Sequence, residues 1–412
     1  MSSRTEDPDR PEAGVRRRHL LFGGAAAGVG ALAAVGAQLA GQPQTVAPAA
    51  ASDANGSETV PFHGARQAGV GTDAQAYGVF IALDLRPGTT PQRVKALLKL
   101  LSDDAANLTQ GKAALADTEG ELALRPARLT VTFGFGSGLV DVVAPERRPV
   151  WLRDLPAFSV DRLVPEFTGG DLLLQICGDD PLTVAHAQRM LLKDSRSFTT
   201  VRWVQPGFRR AYGTEKPGTT MRNLFGQVDG TTNPSPGTGH FEQVVYGTDA
   251  IPAWTENGTS LVIRRISMNL DKWDELDRSG REESVGRKLS NGAPLTGSDE
   301  HEEPDFAAVN PVGFPVIAEF SHVRRARPED ESQRIFRRAF NYDATPGPGT
   351  VSDSGLIFVS YQADVERQFV PIQRRLDELD LLNEWTTPVG SAVFAIPPGC
   401  QPGGFIGDQL FT

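Results

Sequence analysis

The chain has 412 residues, 39% of them hydrophobic and 22% charged, which is enough for a sizeable core and for two domains of ordinary size. Its formal charge is −10, and no basic stretch carries interleaved aromatics, which argues against a nucleic-acid partner. Only two cysteines occur, Cys177 and Cys400, with no Cys-x-x-Cys or Cys/His spacing, so a structural zinc site is not expected, while a single disulfide stays open.

Residues 1–51 read as an export signal and linker rather than as part of the fold. Arg16, Arg17 and Arg18 precede an apolar, Ala/Gly-rich run over residues 20–37, and Ala47-Pro48-Ala49 offers a small-residue cleavage site. An arginine pair followed by His19, Leu20 and Leu21 has the form of a twin-arginine signal. That route carries folded proteins, often with a cofactor already inserted. An uncut membrane anchor is the alternative reading, since the run is about long enough to span a bilayer, but its Ala/Gly content favours export and no stable span in the mature form.

From Tyr77 the pattern becomes globular. "YGVFIALDL" has strand composition, and the helix pattern that follows places Val94, Leu97, Leu98 and Leu101 on one face. "RLTVTFGFGSGLVD" reads as a strand entering a glycine-rich loop. "DLLLQICGDD" reads as a strand, "PLTVAHAQRMLLKD" as a helix opened by Pro181, and "FTTVRWVQPGF" as a strand. This is the β-α-β-β-α-β order of a ferredoxin-like unit. A similar order recurs from "TSLVIRRISMNLDKWDEL" through "VIAEFSHVRRARPED", expected as a short strand running out to His322. It continues through "GLIFVSYQADVERQFVPIQRRLDEL" and ends with "GSAVFAIPPG". The expected fold is therefore α+β: two ferredoxin-like domains over residues 52–220 and 221–412, with antiparallel sheets. Residues 271–311 are expected as a long surface excursion of the second.

Three stretches carry candidate chemistry. "NLFGQVDGTTNP" holds a single carboxylate, Asp229, in a loop stiffened by Gly226, Gly230 and Pro234. Of the six histidines, His322 stands out because it lies where an apolar run meets a change of chain direction, a usual place for functional groups. In "RIFRRAFNYD", Arg337 and Arg338 sit among Phe336 and Phe340, and a buried guanidinium requires an anion or a cofactor.

The ordered set "GQVDG", "SHVRRARP" and "IFRRAFNYD" resembles the dye-decolourising peroxidase family over nearly the whole mature chain, and "GRKLSNGAPLTG" with the export signal resembles its exported members. The resemblance implies one haem b per chain, held mainly by the C-terminal half. It implies His322 as the axial ligand of the haem iron and Asp229 as the acid on the opposite side. It also implies Arg337 as the arginine on the side of Asp229, with Arg338 as rival if the register slips by one, and Gly226 and Gly230 beside the cofactor. Ala339 stands where some members carry an asparagine. A carboxylate near the chain end is expected to accept the second N–H of His322: Glu384 first, then Asn383, with Asp380 last. Hydrogen peroxide and an organic or metal-linked reductant are the implied partners. A base paired with an arginine stays ionised in mild acid, so an acidic optimum is expected. Trp385 and Tyr361 are the residues weighed as relays to bulky donors, against a plain packing role for both.

Overall fold

The run "YGVFIALDL" forms strand β1 (Tyr77–Leu85), whose alternate side chains serve two different cores. Val79, Ile81 and Leu83 point to the helices, and Phe80 and Ala82 point to the second half of the molecule. Helix α1 (Pro91–Leu108) starts where the Thr90 side chain accepts from the Arg93 N–H and Pro91 occupies the first turn. Its Val94, Leu97, Leu98 and Leu101 are fully buried, as their spacing requires. Strand β2 (Thr130–Phe135) leads into a short helix α2 (Ser137–Val143), where the glycines had suggested a loop. Then come β3 (Leu172–Gly178), α3 (Pro181–Ser195), capped by the Asp180 carboxylate on the Thr183 N–H at 2.9 Å, and β4 (Thr199–Phe208).

The second half contributes α4 (Gly239–Val245), β5 (Thr259–Met268), three short helices α5 (Leu270–Asp274), α6 (Arg278–Val285) and α7 (His322–Ala326), then β6 (Phe336–Arg337), β7 (Phe340–Ala344), β8 (Asp353–Gln362), α8 (Val370–Leu379) and β9 (Thr386–Ile396). The strand expected to run out to His322 does not form. The Ile317 carbonyl accepts from the Arg324 guanidinium at 2.8 Å and the Phe320 carbonyl from the Leu381 N–H at 2.9 Å instead of from a neighbouring strand, and His322 opens α7.

The computed structural model describes residues 55–247, 252–328 and 330–412, all within one compact unit, Ala54–Thr412. The export signal read over residues 1–51 lies outside the described residues, and no described helix is long and apolar enough to cross a membrane. The strands pair in the order β4-β1-β3-β2 in one half and β9-β5-β8-β7 in the other. Each half thus runs last, first, third, second along its own chain, which is the ferredoxin-like order, and all these pairings are antiparallel. Single pairs, Phe135↔Ala395 and Phe208↔Asn341, join the two sheets at both edges.

The space between the sheets is filled by a core that includes Phe80, Leu173, Trp203, Leu261, Phe340, Tyr361 and Phe394. Cys177 lies in this core and Cys400 in the core beneath α1, and both are free thiols. The C-terminal sheet turns its other face to the site. Arg264, Ile266 and Met268 on β5 and Leu356 and Phe358 on β8 share that face by strand alternation, and all line one cavity.

Candidate active site

The cavity has a volume of about 250 Å³ and lies wholly against the C-terminal half, except for Val160 from the first half. Its walls come from β5 and β8, from Phe369, Ile372 and Leu376 on and beside α8, and from the loop that carries Asp229 and Gly230. His322, Asp380, Asp229 and Arg337 all line it.

His322 is placed by the start of α7 after Ser321, and Asp380 by the end of α8. The two meet at 2.6 Å, Nδ1 to Oδ2. This bond puts a proton on Nδ1 and leaves Nε2 as the lone-pair nitrogen. Burial works against the charged imidazole, but the charge and hydrogen bond of Asp380 outweigh it and raise the pKa of His322. Asp380 is itself fixed, since its Oδ1 accepts from the Leu382 N–H at 3.0 Å.

This corrects the expected partner. Glu384 is exposed and Asn383 donates to the Leu376 carbonyl at 2.8 Å, so the acceptor is Asp380. The reason is local. Helix α8 ends at Leu379, which leaves Asp380 as the residue that turns back toward α7, with Glu384 one turn farther on.

Asp229 and Arg337 form an ion pair, Arg337 Nη1 to Asp229 Oδ1 at 2.8 Å, with 12% and 25% of the side chains exposed, for Asp229 and Arg337 respectively. The second carboxylate oxygen, Oδ2, has only Asn223 Nδ2, at 3.4 Å, among the described residues. The loop is held by Asp229 N–H donating to the Met221 carbonyl at 2.8 Å and by a turn through Gly230, whose φ of +128° is a glycine conformation. Gly230 lines the cavity. Gly226 does not: its φ of +79° closes the turn from Asn223, and its carbonyl takes Arg222 Nη1 at 2.8 Å, so its part is in shaping the loop rather than in touching a ligand.

Arg338, the rival to Arg337, points the other way. It is buried between the sheets, donating to the Thr72 and Asp73 carbonyls and to Gln75 Oε1. Tyr361 is also fully buried there, with its hydroxyl on Gln175 Oε1 at 2.6 Å, which is a packing role. Trp385 is half-buried and meets Trp273 edge-to-face at 5.3 Å, and Trp273 stacks on Phe225 at 4.3 Å. Ala339 is buried.

The residues present suit a flat apolar group that carries acids. Much of the wall is aliphatic or aromatic, while Arg264, Arg287, Arg327 and Arg334 supply cations. Arg264 is the informative one. Its side chain is 1% exposed and paired with Asp161, yet Nε and Nη1 are buried with no hydrogen-bond acceptor among the described residues. Buried donors without acceptors are costly, and a carboxylate-bearing ligand would satisfy them. Arg264, Asn223 and Asp161 were not singled out from sequence; strand alternation through "VIRRISM" is the signal that puts Arg264 on the same face as Ile266.

Comparison with known proteins agrees with this geometry. The family model described as "Dyp-type peroxidase, N-terminal" matches residues 67–209, and the one described as "Dyp-type peroxidase, C-terminal" matches residues 220–401. The chain is 37% identical to the dye-decolorizing peroxidase of Thermobifida fusca (strain YX), over 98% of this chain and 99% of that one. It is 34% identical to the deferrochelatase of Escherichia coli (strain K12), over 90% and 92%. Among solved structures, a DyP-type peroxidase from Cellulomonas bogoriensis superimposes with a TM-score of 0.84 at 50% identity, covering 86% of this chain and 99% of that chain. Ferric DtpA from Streptomyces lividans gives 0.83 at 40% identity, covering 86% and 98%. Two family models in the right order and relatives matched along almost their whole length leave one conclusion: the chain belongs to the DyP-type peroxidase family of haem-dependent oxidoreductases.

Proposed function

We propose that this peroxidase holds haem b through His322 Nε2 and handles hydrogen peroxide with Asp229 and Arg337. The observation that carries the reading is that His322, with its Nδ1 on Asp380, and the Asp229–Arg337 pair line the same cavity. Bound there, haem iron supplies the redox-active centre at which peroxide is reduced and from which a donor is oxidised. The rest is the work of side chains. Asp380 fixes the tautomer and ring plane of His322 and raises its basicity. Asp229 Oδ2, the oxygen not taken by Arg337, accepts a proton from the incoming peroxide and returns it to the departing oxygen. Arg337 supplies a fixed positive charge where negative charge develops, and its bond to Oδ1 keeps the carboxylate oriented. Arg264 Nε and Nη1 would hold a carboxylate of the cofactor.

Dyes and phenols are the donor class, with Trp385 as the surface-side aromatic through which a bulky donor would deliver electrons. Trp385→Phe should slow bulky donors while sparing the reaction with peroxide; equal rates with both would remove the relay. The arginine pair and apolar run of residues 1–51 support export by the twin-arginine machinery to a periplasmic, cell-surface or extracellular site.

A second reading comes from the relative named deferrochelatase: haem handling for iron acquisition, with peroxidase turnover incidental. The haem-loaded protein separates the two. Fast, saturable, peroxide-dependent dye oxidation with an acidic optimum is expected. Stoichiometric iron release from haem with little turnover would establish the second reading, and activity rising steadily from pH 5 to 9 would remove Asp229 as the base.

A further inference from the structure

The acid and the guanidinium that face the cavity arrive on two segments separated by more than a hundred positions of sequence, and one side chain ties the segments together. Asn233 Oδ1 accepts from the backbone N–H of Arg337 at 3.0 Å, and Asn233 Nδ2 donates to the backbone carbonyl of Arg337 at 2.7 Å. The amide therefore takes the place of a neighbouring strand along the edge of β6 that faces the loop. That strand is only two residues long, and its other pairing is with β8 through Phe336↔Tyr361 and Arg337↔Ser360. On the loop side, the Asn233 N–H donates to the Gly230 carbonyl at 2.9 Å, closing a tight turn directly after Asp229. The path from one charged group to the other thus runs from Asp229 through one closed turn and one two-point amide clamp to the backbone of Arg337. Their 2.8 Å contact closes the loop of that path.

We propose that Asn233 is a positioning residue for the peroxide reaction: its amide sets where Arg337 stands relative to Asp229. The proposal rests on the reading of Asp229 and Arg337 as the pair that handles peroxide. Without the clamp both groups remain, but β6 loses the partner on one edge and the guanidinium is no longer aimed. Misplacement of a reacting group by about an ångström, or loss of an orienting hydrogen bond, lowers rates on the order of 10- to 100-fold.

The test uses haem-loaded wild type, Asn233→Ala, Asn233→Asp and Asp229→Asn. The rate of reaction with hydrogen peroxide is followed by stopped-flow absorbance from pH 4 to 8, and the fluoride dissociation constant of the ferric protein by titration. Asn233→Ala should be slower than wild type by roughly 10- to 100-fold at every pH, bind fluoride roughly tenfold more weakly, and keep full haem content. Asn233→Asp carries its own control. A protonated carboxyl reproduces the amide, with C=O accepting from the Arg337 N–H and O–H donating to the Arg337 carbonyl, whereas a carboxylate has no donor and faces that carbonyl. Its rate relative to wild type at the same pH should therefore approach one near pH 4 and fall to that of Asn233→Ala as the new carboxyl ionises. Asp229, Arg337, Arg287 and Glu300, the last accepting from Thr231 Oγ1 at 3.0 Å, are the charged groups around this turn and move the midpoint without changing the direction. A merely structural role would not produce that return of activity.

Asn233→Ala reacting within twofold of wild type while Asp229→Asn is slow overturns the clamp and leaves the pair intact. Asp229→Asn reacting as wild type overturns the reading of the pair, and the clamp with it. Loss of haem from both Asn233 variants, or a rate ratio for Asn233→Asp that is flat with pH, makes Asn233 a structural residue and overturns the proposal.

Discussion

In the first half, the outer face of the sheet is closed by two continuous helices. Val79, Ile81 and Leu83 on β1 pack under Val94, Leu97, Leu98 and Leu101 of α1 and Ala187, Met190 and Leu191 of α3, all within one buried cluster. In the second half the same strand order presents the matching face, but the connection from β5 to β6 is broken into α5, α6 and α7, and the face opens into a cavity. Where β1 places Val79, Ile81 and Leu83, β5 places Arg264 among Ile266 and Met268. The difference teaches how one fold serves two purposes. A long helix laid across a sheet makes a core. A connection interrupted at the same point leaves a cavity with polar groups on its wall: His322 begins one fragment, and Asp380 follows the helix that packs beside it.

The sharpest test of that contrast removes chemistry from the open half. Asp229→Asn and Arg337→Leu should each slow reaction with peroxide by roughly 10²- to 10⁴-fold, with haem content unchanged, as read by stopped-flow absorbance. Loss of haem from either variant would mean that the pair belongs to binding instead. A filled core and an open one should also differ in stability. Leu98→Ala should cost about 2–5 kcal/mol. Leu356→Ala, which borders the cavity, should cost about 1–2 kcal/mol in protein free of haem and more once haem is bound, both measured by denaturant unfolding. Equal costs in the haem-free protein would show that the cavity collapses without its ligand.

Asp380→Asn keeps the shape at His322 but removes the charge, and should lower haem affinity or peroxide reactivity on the order of 10- to 100-fold. The smallest effect lies in the closed half. Burial, opposed by the Leu115 N–H and reinforced by Asp194, pushes the Asp104 carboxyl up to about 6. The folded protein then holds this proton more tightly than the unfolded chain does. Stability falls as pH rises from about 4 to about 6, and the loss persists above that window. Asp104→Asn should be more stable than wild type by roughly 1–3 kcal/mol at pH 7.5 and equal to it at pH 3.5, as read by thermal melting at both pH values.

Much of this contrast is legible in the sequence. The 3.6-residue spacing of Val94, Leu97, Leu98 and Leu101 gives the closed face directly, and the ordered motifs around Asp229, His322 and Arg337 give the open one. What the sequence hides is set by where short elements stop. Asp380, Asn383 and Glu384 lie within one turn of each other, and only the end of α8 at Leu379 decides which of them meets His322. The stretch before His322 has strand composition, yet its Ile317 carbonyl accepts from the Arg324 side chain and its Phe320 carbonyl from the Leu381 N–H, a choice that no local pattern encodes. Asn233 looks like an ordinary turn residue before a proline, and its partner is far away in sequence.

The most direct measurement is a hemin titration of wild type and His322→Gly, followed by absorbance with and without added imidazole. Wild type should saturate at one equivalent with a haem–histidine spectrum; His322→Gly should fail to reach that spectrum until imidazole fills the space left by the side chain. A His322→Gly protein that binds hemin with the wild-type spectrum in the absence of imidazole would contradict the assignment of His322 as the residue that holds the iron.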